Sequence, residues 1–83
     1  MTEVQKKQIE LTITRLETKL DTYNRAKERT KKQAIMDEEY GYHESAKFNK
    51  GQAFALDYVI EDLQIILQGL KNVKKENEEW KPT

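Results

Sequence analysis

Apolar residues recur at heptad spacing along the C-terminal half of the chain. From Leu56 to Val73 they alternate between steps of three and four residues, which places all of them on one side of an α-helix. This stripe consists of Leu56, Val59, Leu63, Ile66, Leu70 and Val73, and Ile60 and Leu67 widen it. The pattern predicts a helix over residues 46–77, with an apolar face wider than one partner helix covers.

The N-terminal part of the chain carries a second heptad stripe. Its members are Ile9, Ile13, Leu16, Leu20 and Tyr23. We predict a helix over residues 3–36 that begins at a capping box formed by Thr2 and Gln5. The heptad positions that follow Tyr23 are Lys27, Thr30 and Ala34. Because these are poor core residues, we expect residues 24–36 to leave the core or to pack loosely at one end of it.

An acidic turn over residues 37–45 is the predicted break between the two helices. Gly41 is the only strong helix-breaking residue in it. Ser45 is expected to cap the second helix, with Asn49 as the alternative. Residues beyond 77 form a short predicted tail. The sequence therefore predicts an all-α fold, a long antiparallel helical hairpin in a single domain of residues 1–83.

Size and composition favour self-association. The chain has 83 residues, of which 36% are hydrophobic and 36% are charged, so the core of one copy is small. Three apolar positions per heptad suit a bundle, and we expect two hairpins to form a homodimeric four-helix bundle. The predicted core and dimer residues are Ile9, Ile13, Leu16, Leu20, Leu56, Val59, Ile60, Leu63, Ile66, Leu67, Leu70 and Val73. The alternative is that the uncovered part of this face docks onto another protein.

Further features of the sequence predict a cytoplasmic protein. The sequence contains no Cys, which fits a reducing compartment. Its charged N-terminus lacks the apolar segment of a signal peptide. The longest apolar-rich stretch, residues 59–70, is too short and too polar for a bilayer span, so no membrane partner is expected.

Charge is unevenly distributed although the formal net charge is zero. Residues 1–36 carry a net charge of +4, whereas residues 37–44 carry −4. Two tyrosines lie within this acidic segment, and tyrosine with carboxylates suits a surface that contacts a protein. The predicted partner-binding residues are Glu38, Glu39, Tyr40, Tyr42 and Glu44. The competing interpretation is a solvated turn whose tyrosines fold back onto the end of the bundle.

A basic cluster is the candidate nucleic-acid-binding site. It consists of Arg25, Arg29, Lys31 and Lys32, and it would bind phosphates in a salt-dependent way. Glu28 interrupts the cluster, and no recognised nucleic-acid-binding motif accompanies it. A solvated helix face is therefore the favoured interpretation.

The remaining aromatic and titratable residues add little chemistry. Phe48, Phe54 and Tyr58 are expected to pack beside the first helix, with contact to a second partner as the alternative; Trp80 either covers the open end of the bundle or anchors a partner. Glu39 lies four residues before His43, but no second carboxylate–histidine set exists, so no metal site is predicted. Neither a nucleophile motif nor a phosphate-binding loop is present, and we predict no enzymatic activity and no cofactor.

Residues 48–67, FNKGQAFALDYVIEDLQIIL, contain a Gly-x-Ala-x-Ala run that begins at Gly51 and leads into an amphipathic stretch. The segment resembles the C-terminal helix of small helical proteins of phages and prophages of low-GC Gram-positive bacteria. The resemblance implies an accessory protein that binds and redirects a host protein, such as an inhibitor of a defence system. It carries over no functional residues.

The predicted function is that of a non-catalytic protein-binding module, a phage or mobile-element protein that inhibits or modulates a host protein. Besides a second copy of itself, the expected partner is a host or phage protein. One alternative is a small dimeric nucleic-acid-binding protein that uses the basic cluster. The other is a structural or assembly protein of a virion or scaffold.

Overall fold

Two long antiparallel helices make up the fold. The computed structural model of the chain describes residues 1–79, with side chains described as far as residue 77. Helix α1 spans Glu3–Glu39 and helix α2 spans His43–Glu79, which confirms the predicted all-α helical hairpin. Neither described helix combines the length and apolar content needed to cross a membrane. Trp80 and the rest of the predicted tail lie outside the described residues.

The start of α1 is fixed by the predicted capping box. The Thr2 hydroxyl accepts a hydrogen bond from the Gln5 backbone N–H at 3.1 Å, and Gln5 Oε1 accepts from the Thr2 backbone N–H at 2.9 Å. The two bonds satisfy backbone donors that have no partner within the helix. The predicted helix start is therefore confirmed.

The turn between the helices is only three residues long. Gly41 adopts φ 81°, a left-handed conformation that favours glycine. The Gly41 N–H donates to the Glu38 carbonyl at 3.1 Å, and the Tyr42 N–H donates to the Asp37 carbonyl at 2.7 Å. This pair of bonds is a Schellman motif, which ends a helix abruptly.

The sequence-based prediction of a longer acidic turn was wrong at both of its ends. Residues 37–39 form the last turn of α1, and residues 43–45 begin α2. Ser45 and Asn49 therefore lie inside α2, where neither caps its start. The reason is that the Schellman motif ends α1 at Glu39, two residues before Gly41, so no longer loop is needed.

The interhelical seam is centred on four buried aliphatic residues. Ile13, Leu20, Ile60 and Leu67 form the core cluster, and Ile9, Leu16, Tyr23, Leu63 and Leu70 pack partly buried against it. Ile60 and Leu67 had been expected only to widen the stripe. Within the hairpin the exposed residues are instead Val59, Ile66 and Val73, whose side chains are 40%, 53% and 42% exposed.

This exchange has a simple geometric cause. Two heptad lines share Leu56, Leu63 and Leu70, and either line could form the seam. The line through Ile60 and Leu67 continues towards the turn with Ala53, Asn49 and Ala46, whereas the line through Val59 continues with the more polar Gln52 and Ser45. The first line packs on α1 along its whole length, so the second lies beside the seam.

Small residues close the seam near the turn. Ala34, Ala46 and Ala53 are buried, and Ala46 has no exposed surface. The expectation that residues 24–36 leave the core or pack loosely was wrong, because alanine on both helices lets the backbones approach closely. Lys27 is accommodated by an ion pair with Asp57 on the rim of the seam.

The two sides of the seam differ sharply in charge. The neutral flank consists of Gln5, Thr12, Lys19, Ala26 and Gln33 in α1 and of Ser45, Gln52, Val59, Ile66 and Val73 in α2. The charged flank consists of Glu3, Glu10, Glu17, Asn24, Lys31 and Glu38 in α1 and of Lys50, Asp57, Gln64 and Lys71 in α2. One residue in ten is charged on the first, against eight in ten on the second.

Contacts between the helices follow the same division. The ion pairs of Lys27 with Asp57, of Lys50 with Glu38 at 3.2 Å and of Lys74 with Glu10 at 3.7 Å all lie towards the charged flank. The grooves of the neutral flank are bordered by uncharged side chains. One groove is lined by Ala26, Thr30, Gln52, Ala55, Leu56 and Val59, and the other by Met1, Gln5, Gln8, Ile9, Thr12, Leu70 and Asn77.

Candidate functional site

Among the described residues, the most exposed aromatic pair lies at the tip of the hairpin. Tyr40 and Tyr42 are 69% and 63% exposed, and their rings stack with centroids 6.3 Å apart. They flank Gly41, so the Schellman turn places both rings on the same end of the molecule. The alternative that the tyrosines fold back onto the helices is contradicted by this exposure.

A buried carboxylate fixes the backbone beneath these tyrosines. Asp37 is 5% exposed, and its side chain accepts three hydrogen bonds. The donors are Ser45 Oγ at 2.7 Å, Asn49 Nδ2 at 2.8 Å and Gln33 Nε2 at 2.9 Å. Because these donors come from both helices, the carboxylate ties the end of α1 to the beginning of α2.

The same hydrogen bonds determine the ionisation of this carboxylate. The bond from Ser45, followed by those from Gln33 and Asn49, holds the pKa of Asp37 below its ordinary value, against the opposing effect of burial. Asp37 is thus a structural anion that stabilises the tip, and its side chain is not part of the exposed acidic surface.

Of the predicted acidic contact residues, Glu38 is already engaged within the hairpin. Lys50 Nζ donates to Glu38 Oε1 at 3.2 Å, and His43 Nδ1 lies 3.3 Å from Glu38 Oε2. Lys50 is the main cause of a pKa of Glu38 below its ordinary value. Glu39 and Glu44 are exposed beside the tyrosines. The tip therefore exposes two aromatic rings and two carboxylates to solvent.

The metal-ligating residue types do not converge within the described part of the chain. His43 meets Glu38, whereas the spacing considered from the sequence was that to Glu39. Among residues 1–77 there is no group of three or more histidine, aspartate and glutamate side chains arranged to hold a metal ion.

A second exposed aromatic pair lies on the shaft of the hairpin. Phe54 and Tyr58 make an edge-to-face contact with centroids 5.1 Å apart, and both are more than half exposed. Phe54 also borders a groove with Ile35, next to Lys31 and Lys50. The expectation that these rings pack beside the first helix was wrong for Phe48 and Tyr58, which are more than half exposed, whereas Phe54 lies beside α1 in this groove although it too is largely exposed.

The basic cluster is divided between two surfaces. Arg25, Arg29 and Lys32 line one shallow surface of α1 together with Glu28. Lys31 lies on the charged flank instead. Arg25 also forms an ion pair with Asp21 at 2.8 Å. A phosphate would therefore meet only part of the predicted set, beside two carboxylates that weaken the positive potential.

Sequence reasoning missed the role of Asp37 and its three donors. The signal was the heptad register itself, which runs past Ala34 to Asp37 in α1 and back through Ala46 and Asn49 in α2. A polar pair at these positions predicts a buried hydrogen bond across the seam.

Comparison of the chain with known proteins found no relative. No protein-family model matches the chain, and neither the curated proteins nor the solved structures include a match to it.

Proposed function

We propose that the chain is a homodimeric, non-catalytic protein-binding module whose hairpin tip contacts the partner. The observation that carries this function is the stacked, exposed pair of Tyr40 and Tyr42 on a tip fixed by Asp37. Exposed tyrosines give a large contact area at a small entropy cost, since their rings have few rotatable bonds. Glu39 and Glu44 beside them favour a partner surface that carries Lys or Arg.

The resemblance of residues 48–67 to phage accessory proteins supplies the biological setting of the proposal. In that setting the tip binds a bacterial host protein in the cytoplasm and inhibits or modulates it. The basic surface of α1 supports nucleic-acid binding less well, because Asp21 and Glu28 offset part of its charge.

The tip can be tested against a matched surface on the same molecule. The tagged full-length chain is incubated with nuclease-treated bacterial lysate, and the captured proteins are identified by mass spectrometry. The test variant carries Tyr40→Ala and Tyr42→Ala. The control carries Phe54→Ala and Tyr58→Ala, which removes the other exposed aromatic pair.

We expect the wild-type chain and the control variant to capture the same protein in near-stoichiometric amount. The tip variant should lose at least nine-tenths of it at unchanged helicity by circular dichroism, as expected when an aromatic hot spot is truncated. If the tip variant captured the protein and the control variant did not, the contact would lie at Phe54 and Tyr58 instead of at the tip. Recovery of no protein would contradict the protein-binding function.

The dimer in this proposal uses the neutral flank. Val59, Ile66 and Val73 form an exposed apolar line there, in the same direction as the uncharged grooves. Burying each of these half-exposed side chains contributes roughly 1 kcal/mol to the free energy of dimerisation. In a two-fold dimer each residue contributes once from each copy. The charged flank is a poor alternative, because its charges would lose water on contact.

Two adjacent isoleucines provide the test of this interface. Ile66 lies on the neutral flank, whereas Ile65, also exposed, lies about 100° further round α2, on the face turned away from the seam. Sedimentation equilibrium should show a dimer whose dissociation constant rises at least about tenfold in Ile66→Lys, since a lysine there is desolvated on association. Ile65→Lys should leave it unchanged. A monomeric wild-type chain, or equal effects of both substitutions, would contradict the interface.

A further inference from the structure

The neutral flank carries enough asymmetry to orient the second copy. Two ion pairs set the level of the helices within one hairpin, because Glu10 lies beside Lys74 and Lys27 lies beside Asp57. Residues of the neutral flank therefore lie at matching heights along the hairpin axis. Val59 is at the height of Ala26. Ile66 is at the height of Lys19, and Val73 is at the height of Thr12. Large apolar side chains of α2 thus run alongside small or polar residues of α1.

We infer that the two-fold axis of the dimer runs parallel to the helices, so that α2 of each copy packs on α1 of the other. Both tips then project from the same end of the four-helix bundle, and each copy contributes its Tyr40–Tyr42 pair to one binding surface. The inference rests on the proposed dimer and deepens it, since the partner-binding site is incomplete without the second copy.

Packing volumes favour this orientation. With the axis parallel to the helices, Val59 faces the smaller Ala26 of the second copy, Ile66 faces the flexible aliphatic stem of Lys19, and Val73 faces Thr12, which has a similar shape. With the axis perpendicular to the helices, α2 would meet α2 and α1 would meet α1. Large residues would then pair on one side of the interface and small ones on the other, which leaves a gap in the core.

Charge complementarity favours the same orientation. Lys19 on the neutral flank and Arg15 on its outer edge make the α1 side of the interface basic, whereas Asp62 makes the α2 side acidic. These three side chains are exposed, and none has an ion-pair partner among the described residues. Packing α2 on α1 places Lys19 about one helical turn along the axis from Asp62 of the second copy. The perpendicular axis would instead bring Lys19 of one copy towards Lys19 of the other, and the two like charges would repel.

Distances between the tips measure the orientation directly. The chain contains no Cys, so single cysteines introduced by Glu44→Cys at the tip or Val4→Cys at the open end accept a spin label without competition. Pulsed electron resonance should give label separations below about 40 Å at both sites, given interaxial spacings of about 10 Å. Tips at opposite ends would be separated by more than about 50 Å, because each helix of 37 residues rises about 1.5 Å per residue.

A charge swap provides the second readout. Lys19→Asp and Asp62→Lys should each raise the dissociation constant about tenfold, and the double variant should restore it, because like charges across an interface repel. Failure of the double variant to recover, or long tip distances, would overturn the orientation while leaving the dimer intact. A monomeric wild-type chain in the sedimentation experiment would overturn the dimer itself, so the two failures are distinguishable.

Discussion

The two halves of the seam hold the hairpin together by different means. The aliphatic half is centred on Ile13, Leu20, Ile60 and Leu67, whereas the tip half consists of Ala34, Ala46, Ala53 and the buried Asp37. Large side chains gain free energy from removing apolar area from water, and alanine gains much less. The tip half therefore depends on close backbone approach and hydrogen bonds. Stability is concentrated at one end, and the geometry that presents the tyrosines is set at the other.

Truncating a side chain of the aliphatic half should have the largest effect. Leu67→Ala is expected to lower the free energy of unfolding by about 2–4 kcal/mol, through lost burial and the cavity left behind. Ile65→Ala, two positions away and exposed, should change it by less than about 0.5 kcal/mol. Urea unfolding followed by circular dichroism at one fixed protein concentration measures both, since dimerisation makes stability concentration-dependent. Equal effects would place the main core elsewhere.

Enlarging a side chain of the tip half should have the next largest effect. Ala46 has no exposed surface, so Ala46→Leu forces the helices apart and should cost about 1–3 kcal/mol. Lys47→Leu places the same side chain on the adjacent exposed position and is the matched control. Unchanged stability in Ala46→Leu would mean that the tip half is loosely packed, as the sequence had suggested.

The contrast between the halves explains how far the sequence could predict the fold. Heptad spacing of large apolar residues predicted both helices, and the Thr2–Gln5 pair predicted the capping box, because each signal depends on residues close in sequence. The short break between the helices predicted their antiparallel pairing. The heptad spacing did not decide between the Ile60 and Ile66 lines, since both have the period of a helix. The choice depends on which line continues in small residues up to the turn, where hydropathy is uninformative.

The candidate site shows the same limit. Tyr40 and Tyr42 were identified from composition, and the structure leaves both exposed. The buried state of Asp37 was not predicted, because a carboxylate in an acidic segment suggests a solvated surface. Its burial follows only when Ser45 and Asn49 come within 2.8 Å from the other helix.

A substitution in the turn should have a smaller effect, confined to the tip half. Gly41→Ala places a side chain at φ 81° and is expected to cost about 1–2 kcal/mol, because L-residues are strained in this conformation. Gly51→Ala is the matched control. It lies inside α2 with open space around it, and should stabilise the chain by about 1 kcal/mol. Thermal unfolding should show a lower melting temperature for Gly41→Ala and a higher one for Gly51→Ala. A higher melting temperature for Gly41→Ala would contradict the left-handed turn.

The smallest effect is expected from pH, and it should arise only in the tip half. Since the pKa of Asp37 is lowered in the fold by its hydrogen bonds, its contribution to stability is complete above the ordinary carboxyl pKa of about 4. It is lost as pH falls through the lowered value. Glu38 acts in the same direction, because Lys50 lowers its pKa as well.

Urea midpoints measured between pH 6 and pH 2 separate these two carboxylates. Asp37→Asn should flatten the acid limb of the stability curve more than Glu38→Gln does, because three hydrogen bonds from both helices depend on the Asp37 anion. If the tip half sets the geometry of the tyrosines, the near-ultraviolet signal of Tyr40 and Tyr42 should change over the same pH interval while helicity persists. Simultaneous loss of both signals would mean that the two halves unfold as one unit, and that the tip has no order independent of the aliphatic half.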